Sequence, residues 1–129
     1  MKTVLMFAGL AALASLPAQA NDAARDEAML KLAGNAGCMS CHQVDPGGKG
    51  PDGLAPIGPA WREVAGKYAG QKGASEQLQL TVLAGSNPYE SHWKGKVSGL
   101  EMPPNKVAIS EGDTKDLVGW ILALDPMKR

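Results

Sequence analysis

Large side chains are scarce in this chain: of 129 residues, three are Trp, two are Tyr and one is Phe. So few aromatics leave the centre of a small domain underfilled, and something other than side chains is expected to occupy it. An excess of one charge is also missing. The 13 Lys+Arg balance 13 Asp+Glu, for a formal net charge of +0, so there is no overall pull on a polyanion and nucleic acid is not an expected partner. Two Cys and two His are too few for a disulfide-dense scaffold or a four-thiolate zinc site. The length excludes large barrels and multidomain enzymes and argues for one domain. No stretch alternates apolar and polar residues over a strand's length, so the fold reads as all-α, with about four short helices and long loops.

The chain has one long apolar run, at its start. Lys2 gives a positive beginning, residues 4–16 are mostly apolar, and Ala18-Gln19-Ala20 is a small-x-small pattern of the kind a signal peptidase accepts. Residues 1–20 therefore read as a signal peptide cleaved after Ala20, with a retained interfacial anchor as the alternative. The run is shorter than the roughly 20 residues that cross a bilayer, and no second one follows, so no membrane span is expected in the mature protein. Taking 20 residues from 129 leaves 109, with Lys2 lost and acidic residues in slight excess.

Within residues 21–129, Asp22 is a candidate cap for a helix over residues 22–33. Met29, Leu32, Ala33 and Ala36 fall on one stripe of it, and Gly34 and Gly37 end the pattern. Residues 45–59, DPGGKGPDGLAPIGP, carry too much Gly and Pro for a regular element and predict a loop wrapped around some object. Helices over 61–69 and 76–84 follow, the second capped by Ser75 and stopped by Gly85 in a left-handed conformation. Residues 85–107 read as irregular. Ser110 to Asp113 is a capping signal, and Leu117, Trp120, Ile121 and Leu124 then form an apolar stripe at helical spacing before Pro126.

The chemistry lies in Cys38-Met39-Ser40-Cys41-His42, the C-x-x-C-H pattern of haem attachment. In a helical turn, thiols three residues apart project along one side and can each add to one vinyl group of a haem, while the next residue offers an imidazole to the iron. A covalently held macrocycle would also fill the underfilled core. A thioredoxin-like redox pair would need a strand and a βαβ context that the sequence lacks, and a plain disulfide is the remaining alternative.

An electron-carrying haem needs a second axial ligand, usually Met or His. Met29 sits on a helix stripe, Met39 lies inside the attachment turn and Met127 is in a terminal tail. Met102, in an irregular loop and followed by two prolines that stiffen it, is the stronger candidate, with His92 as the alternative.

These residues resemble the small bacterial class I monohaem cytochromes c, over nearly the whole mature chain. The resemblance rests on Cys38 to His42, Gly58-Pro59 followed by an aromatic and a KYAG helix at residues 61–70, Gly85-Ser86, Trp93, Met102-Pro103-Pro104-Asn105, and a last helix containing Trp120-Ile121-Leu122. It implies a cytochrome c-like fold around one covalent haem c, bound through Cys38 and Cys41, with His42 and Met102 as iron ligands. It further implies that Pro59 O, or that of Pro56 in the same extended loop, accepts the imidazole's Nδ1 proton, that Trp93 donates to a haem propionate, and that Asn105 stands near the ligand sulfur. Plain core packing is the competing role for Trp93 and Trp61. The expected function is one-electron transfer in the periplasm without catalysis, between donor and acceptor redox proteins docking at the haem edge, where Lys49, Lys94, Lys96 and Lys106 would steer an acidic partner. The alternatives are the haem subunit of a periplasmic oxidoreductase complex, or a haem sensor or peroxidase-like protein with a labile distal ligand.

Overall fold

The computed structural model describes residues 18–126; residues 1–17, most of the segment read as a signal peptide, and Met127 lie outside the described residues. Among the described residues four α-helices follow one another: α1 (Ala18–Asn35), α2 (Trp61–Tyr68), α3 (Ala74–Ala84) and α4 (Glu111–Ala123). Among the described residues there is no strand, and the all-α reading holds. The last helix is the axis of the core, packed against each of the other three. Its buried face is Thr114, Leu117, Val118, Trp120 and Ile121, three of the four residues of the expected stripe plus two smaller neighbours, while Leu124 is the extended C-cap and only partly buried. At its N-terminus Ser110 Oγ accepts the Asp113 N–H at 3.1 Å, and the fully buried Thr114 hydroxyl is satisfied by donating to Ser110 O at 2.7 Å. Trp120 Nε1 donates to Asp26 Oδ1 at 2.7 Å, which ties α4 to α1.

Three local expectations need correction. The first helix starts ahead of Asp22 and runs through Gly34, so Asp22 lies inside it and is not its cap. The strong helix formers Ala18, Gln19, Ala20, Ala23 and Ala24 carry the helix across Asp22, and the chain leaves it at Gly37, whose φ of 79° is left-handed. In α3 the N-cap is Gly73, also left-handed, while Ser75 is helical and accepts a 2.9 Å hydrogen bond from Gln79. Gly85 does stop α3 with a positive φ of 87°, but its ψ of 171° is not the left-handed helical well. It falls in the extended mirror region that only glycine adopts without strain.

Long irregular segments make up much of the rest, and backbone hydrogen bonds hold them. Residues 58–62 run beside residues 41–44 through Gly58 N–H to Cys41 O (2.8 Å), Trp61 N–H to Gln43 O (2.9 Å) and Arg62 N–H to Val44 O (3.1 Å). On the other side, Ser98 N–H donates to Pro56 O (2.9 Å) and Gly99 N–H to Ile57 O (3.0 Å). The Gly- and Pro-rich loop is therefore anchored along its second half.

Candidate functional site

Cys38 to Ser40 form one 3-10 turn, closed by Cys41 N–H and His42 N–H both donating to Cys38 O, at 3.2 and 3.0 Å. The turn sets Cys38 and Cys41 as partly buried thiols with no bridge between them. Burial pushes the Cys38 thiol above its ordinary range, against a smaller opposing effect of its backbone hydrogen bond. His42 follows directly, and its Nδ1 lies 2.8 Å from Pro59 O. A carbonyl can only accept, so Nδ1 carries the proton and Nε2 keeps a free lone pair. Burial also lowers the pKa of His42, the Pro59 contact opposing it, so the ring is kept neutral, the form that binds a metal.

Two further residues shape this side. Trp61 is 4% exposed and stacks on His42, with ring centroids 6.0 Å apart and planes 21° from parallel, and it meets Trp120 edge-on at 5.6 Å. Gly58 is where the backbone passes the imidazole: a Cβ there would lie 2.7 to 3.0 Å from three ring atoms of His42. The sequence signal for both was the Gly-Pro pair with an aromatic two residues later, and only the fold reveals what they touch.

Facing this turn is a cavity of about 380 Å³ with a mostly apolar wall. Cys38, Cys41, His42, Pro59, Trp93, Met102 and Asn105 all belong to its wall, which brings together every site residue read from the sequence. Pro56 is turned elsewhere, its carbonyl taken by Ser98. Of the other methionines, Met29 packs against the core and Met39 is 40% exposed at the attachment turn. His92 also reaches the cavity, exposed and edge-on to Tyr68 at 6.5 Å. Trp93 is half-buried, with the Lys96 ammonium 5.8 Å from its ring. The side chain of Asn105 donates to Val82 O at 3.2 Å and to Pro103 O at 2.7 Å. Charged side chains in the wall are Glu90 and Glu101; Lys49, Lys94, Lys96 and Lys106 stand outside it.

Met102 arrives from a segment with little regular structure, and the end of α3 receives it. Ser86 N–H donates to Met102 O at 2.9 Å, Met102 N–H donates to Ser86 Oγ at 2.8 Å, and Asn105 N–H donates to Val82 O at 3.1 Å. Gly85 allows the approach, since a Cβ on it would lie 3.0 Å from Met102 O and 3.1 Å from the Pro104 ring.

These residues fit a haem. The cavity is of ligand-pocket size and mostly apolar. Its wall offers two thiols, a neutral imidazole and a thioether, the donor set that c-type haem takes.

Comparison with known proteins agrees. The family described as Cytochrome c matches residues 30–125. Cytochrome c-551 of Stutzerimonas stutzeri is 37% identical, over 96% of this chain and 99% of its own. Cytochrome c-551 of Pseudomonas aeruginosa is 33% identical, over 88% and 90%. The crystal structure of cytochrome c552 from Nitrosomonas europaea superposes with a TM-score of 0.56 at 34% identity, covering 74% of this chain and 98% of that one.

Proposed function

The chain belongs to the cytochrome c family, and on that premise we propose that it is a periplasmic one-electron carrier whose single haem c is bound by Cys38 and Cys41, with His42 and Met102 as axial ligands. The observation that carries this reading is that these four side chains, from segments far apart in sequence, share the wall of one apolar cavity. Haem c, when bound, supplies a one-electron Fe(III)/Fe(II) couple. Pro59 O holds the imidazole in one orientation through Nδ1 and makes Nε2 a better donor. The soft Met102 thioether favours the reduced state more than a second imidazole does, and the apolar wall acts in the same direction, so a fairly high potential is expected. His42 and Met102 would between them fill the iron's two remaining ligand positions and leave none for oxygen or peroxide, so the protein carries electrons without catalysing a substrate reaction.

His92, exposed at the rim, is left out of the ligand set, Trp93 is assigned to a haem propionate, and Asn105 to the neighbourhood of the Met102 sulfur. Residues 1–20 are assigned to a cleaved signal peptide and residues 21–129 to the single domain. Cleavage after Ala20 would shorten α1 to a start at Asn21, bringing Asp22 into its first turn, where a carboxylate suits the helix dipole. Among the described residues no helix is long and apolar enough to cross a membrane. Donor and acceptor redox proteins dock transiently where the cavity opens.

Intact mass and visible absorbance test the reading. The purified protein should begin at Asn21 and exceed the mass of its 109 residues by one haem, and Met102→Ala should abolish the far-red sulfur-to-iron band of the oxidised protein. A colourless product, or a band that survives in Met102→Ala, overturns it. Ready binding of carbon monoxide to the reduced protein at neutral pH would replace the carrier with a sensor.

A further inference from the structure

Met102 has prolines only on one side. Pro103 and Pro104 restrict the backbone that follows it, but the residues before it are loosely held, with Leu100 84% exposed and Glu101 exposed as well. Further upstream, Ser98 and Gly99 are tied to Pro56 and Ile57, and the tie made at Met102 itself is Ser86. Its N–H and its hydroxyl engage the carbonyl and the N–H of Met102 at 2.9 and 2.8 Å, so one residue occupies both backbone polar groups of the ligand. The segment carrying this clamp leaves a helix at a glycine whose φ and ψ no other residue adopts comfortably, which gives Ser86 a defined direction. Both partners are half-buried, so water reaches the pair and the hydroxyl's effect is moderate.

We propose that Ser86 is a positioning residue for Met102, its hydroxyl setting how firmly the thioether is kept in the cavity and how readily an outside ligand displaces it. This rests on Met102 being the axial ligand. Removing the hydroxyl leaves the Met102 N–H to water and loosens the exposed Leu100-Glu101 stretch before it, while the Ser86 N–H, the Asn105 ties and the Ser98 and Gly99 ties to Pro56 and Ile57 remain. The ligand is then present but more easily exchanged.

The test titrates the oxidised holoprotein with imidazole at neutral pH and follows loss of the far-red band. For Ser86→Ala the half-displacing imidazole concentration should fall about tenfold, equivalent to about 1.4 kcal/mol, while Ser86→Thr, which keeps a hydroxyl, should stay close to the parent. The urea midpoint of the helical circular dichroism is read alongside. A lowered urea midpoint with an unchanged imidazole titration would make Ser86 merely structural and overturn the proposal. Met102→Ala separates the two claims: a band persisting there overturns the ligand assignment and this proposal with it, whereas a band lost there with the imidazole titration unmoved in Ser86→Ala overturns the role of Ser86 alone. Should Ser86→Ala fail to fold, hydrogen exchange on the parent decides. The Met102 amide should be protected, and exchange as fast as at the fully exposed Val107 would overturn the clamp.

Discussion

Residues 38–62 and residues 85–105 bring wall to the same cavity by different means. In the first region two thiols and the imidazole come from five consecutive residues in one turn, and the returning chain locks them with Pro59 O and the stacked Trp61. In the second, Met102 hangs on a long segment held by a few half-buried hydrogen bonds to the end of α3 and, further upstream, by Ser98 and Gly99 to Pro56 and Ile57. One side is local, aromatic-backed and, once thioethers form, permanent. The other is built from pieces distant in sequence and is expected to open first, because a half-buried hydrogen bond contributes only about 1 kcal/mol net.

The largest expected effect breaks the first region altogether. With Cys38→Ala and Cys41→Ala combined, no haem should remain attached after denaturation, and the helical circular dichroism should fall substantially because the core loses its filler. A full helical signal without covalent haem would show that the side chains alone sustain the fold.

A pair of glycine variants sharpens the contrast. Gly58→Ala drives a methyl into the His42 ring and should cost about 1 to 3 kcal/mol of stability, seen as a lower urea midpoint for the helices. Gly85→Ala strains the backbone by about 1 to 3 kcal/mol and pushes on Met102 O and Pro104, so the far-red band should weaken under conditions where the helices stay intact. If both variants change the same signal to the same degree, the two sides do not differ in lability.

The smallest effect is a control that touches neither region. Ser110→Ala removes the cap of α4, which backs the whole core, and should lower stability by about 1 kcal/mol while leaving the far-red band and its imidazole titration unchanged. A shift in that titration would mean that general stability, and not the Ser86 clamp, governs the distal side.

What the sequence determined by itself is whatever depends on neighbours a few residues apart. The pentapeptide from Cys38 to His42 is legible because thiol and imidazole spacing is set by one turn of backbone, the stripe of α4 because helical period decides which side chains share a face, and the Ser110 cap because it is completed three residues later. Gly and Pro density likewise marked the loops. Tertiary structure alone decided which proline serves the imidazole, since Ser98 takes Pro56 O and leaves Pro59 O for His42. It also decided that Asn105 reaches back to Val82 and Pro103, that Glu90 and Glu101, and not the lysines, stand in the cavity wall, and that Ser86 meets Met102. Those partners are remote in sequence, and each pairing exists only because α4, packing on α1, α2 and α3 at once, brings the segments between them to a common cavity.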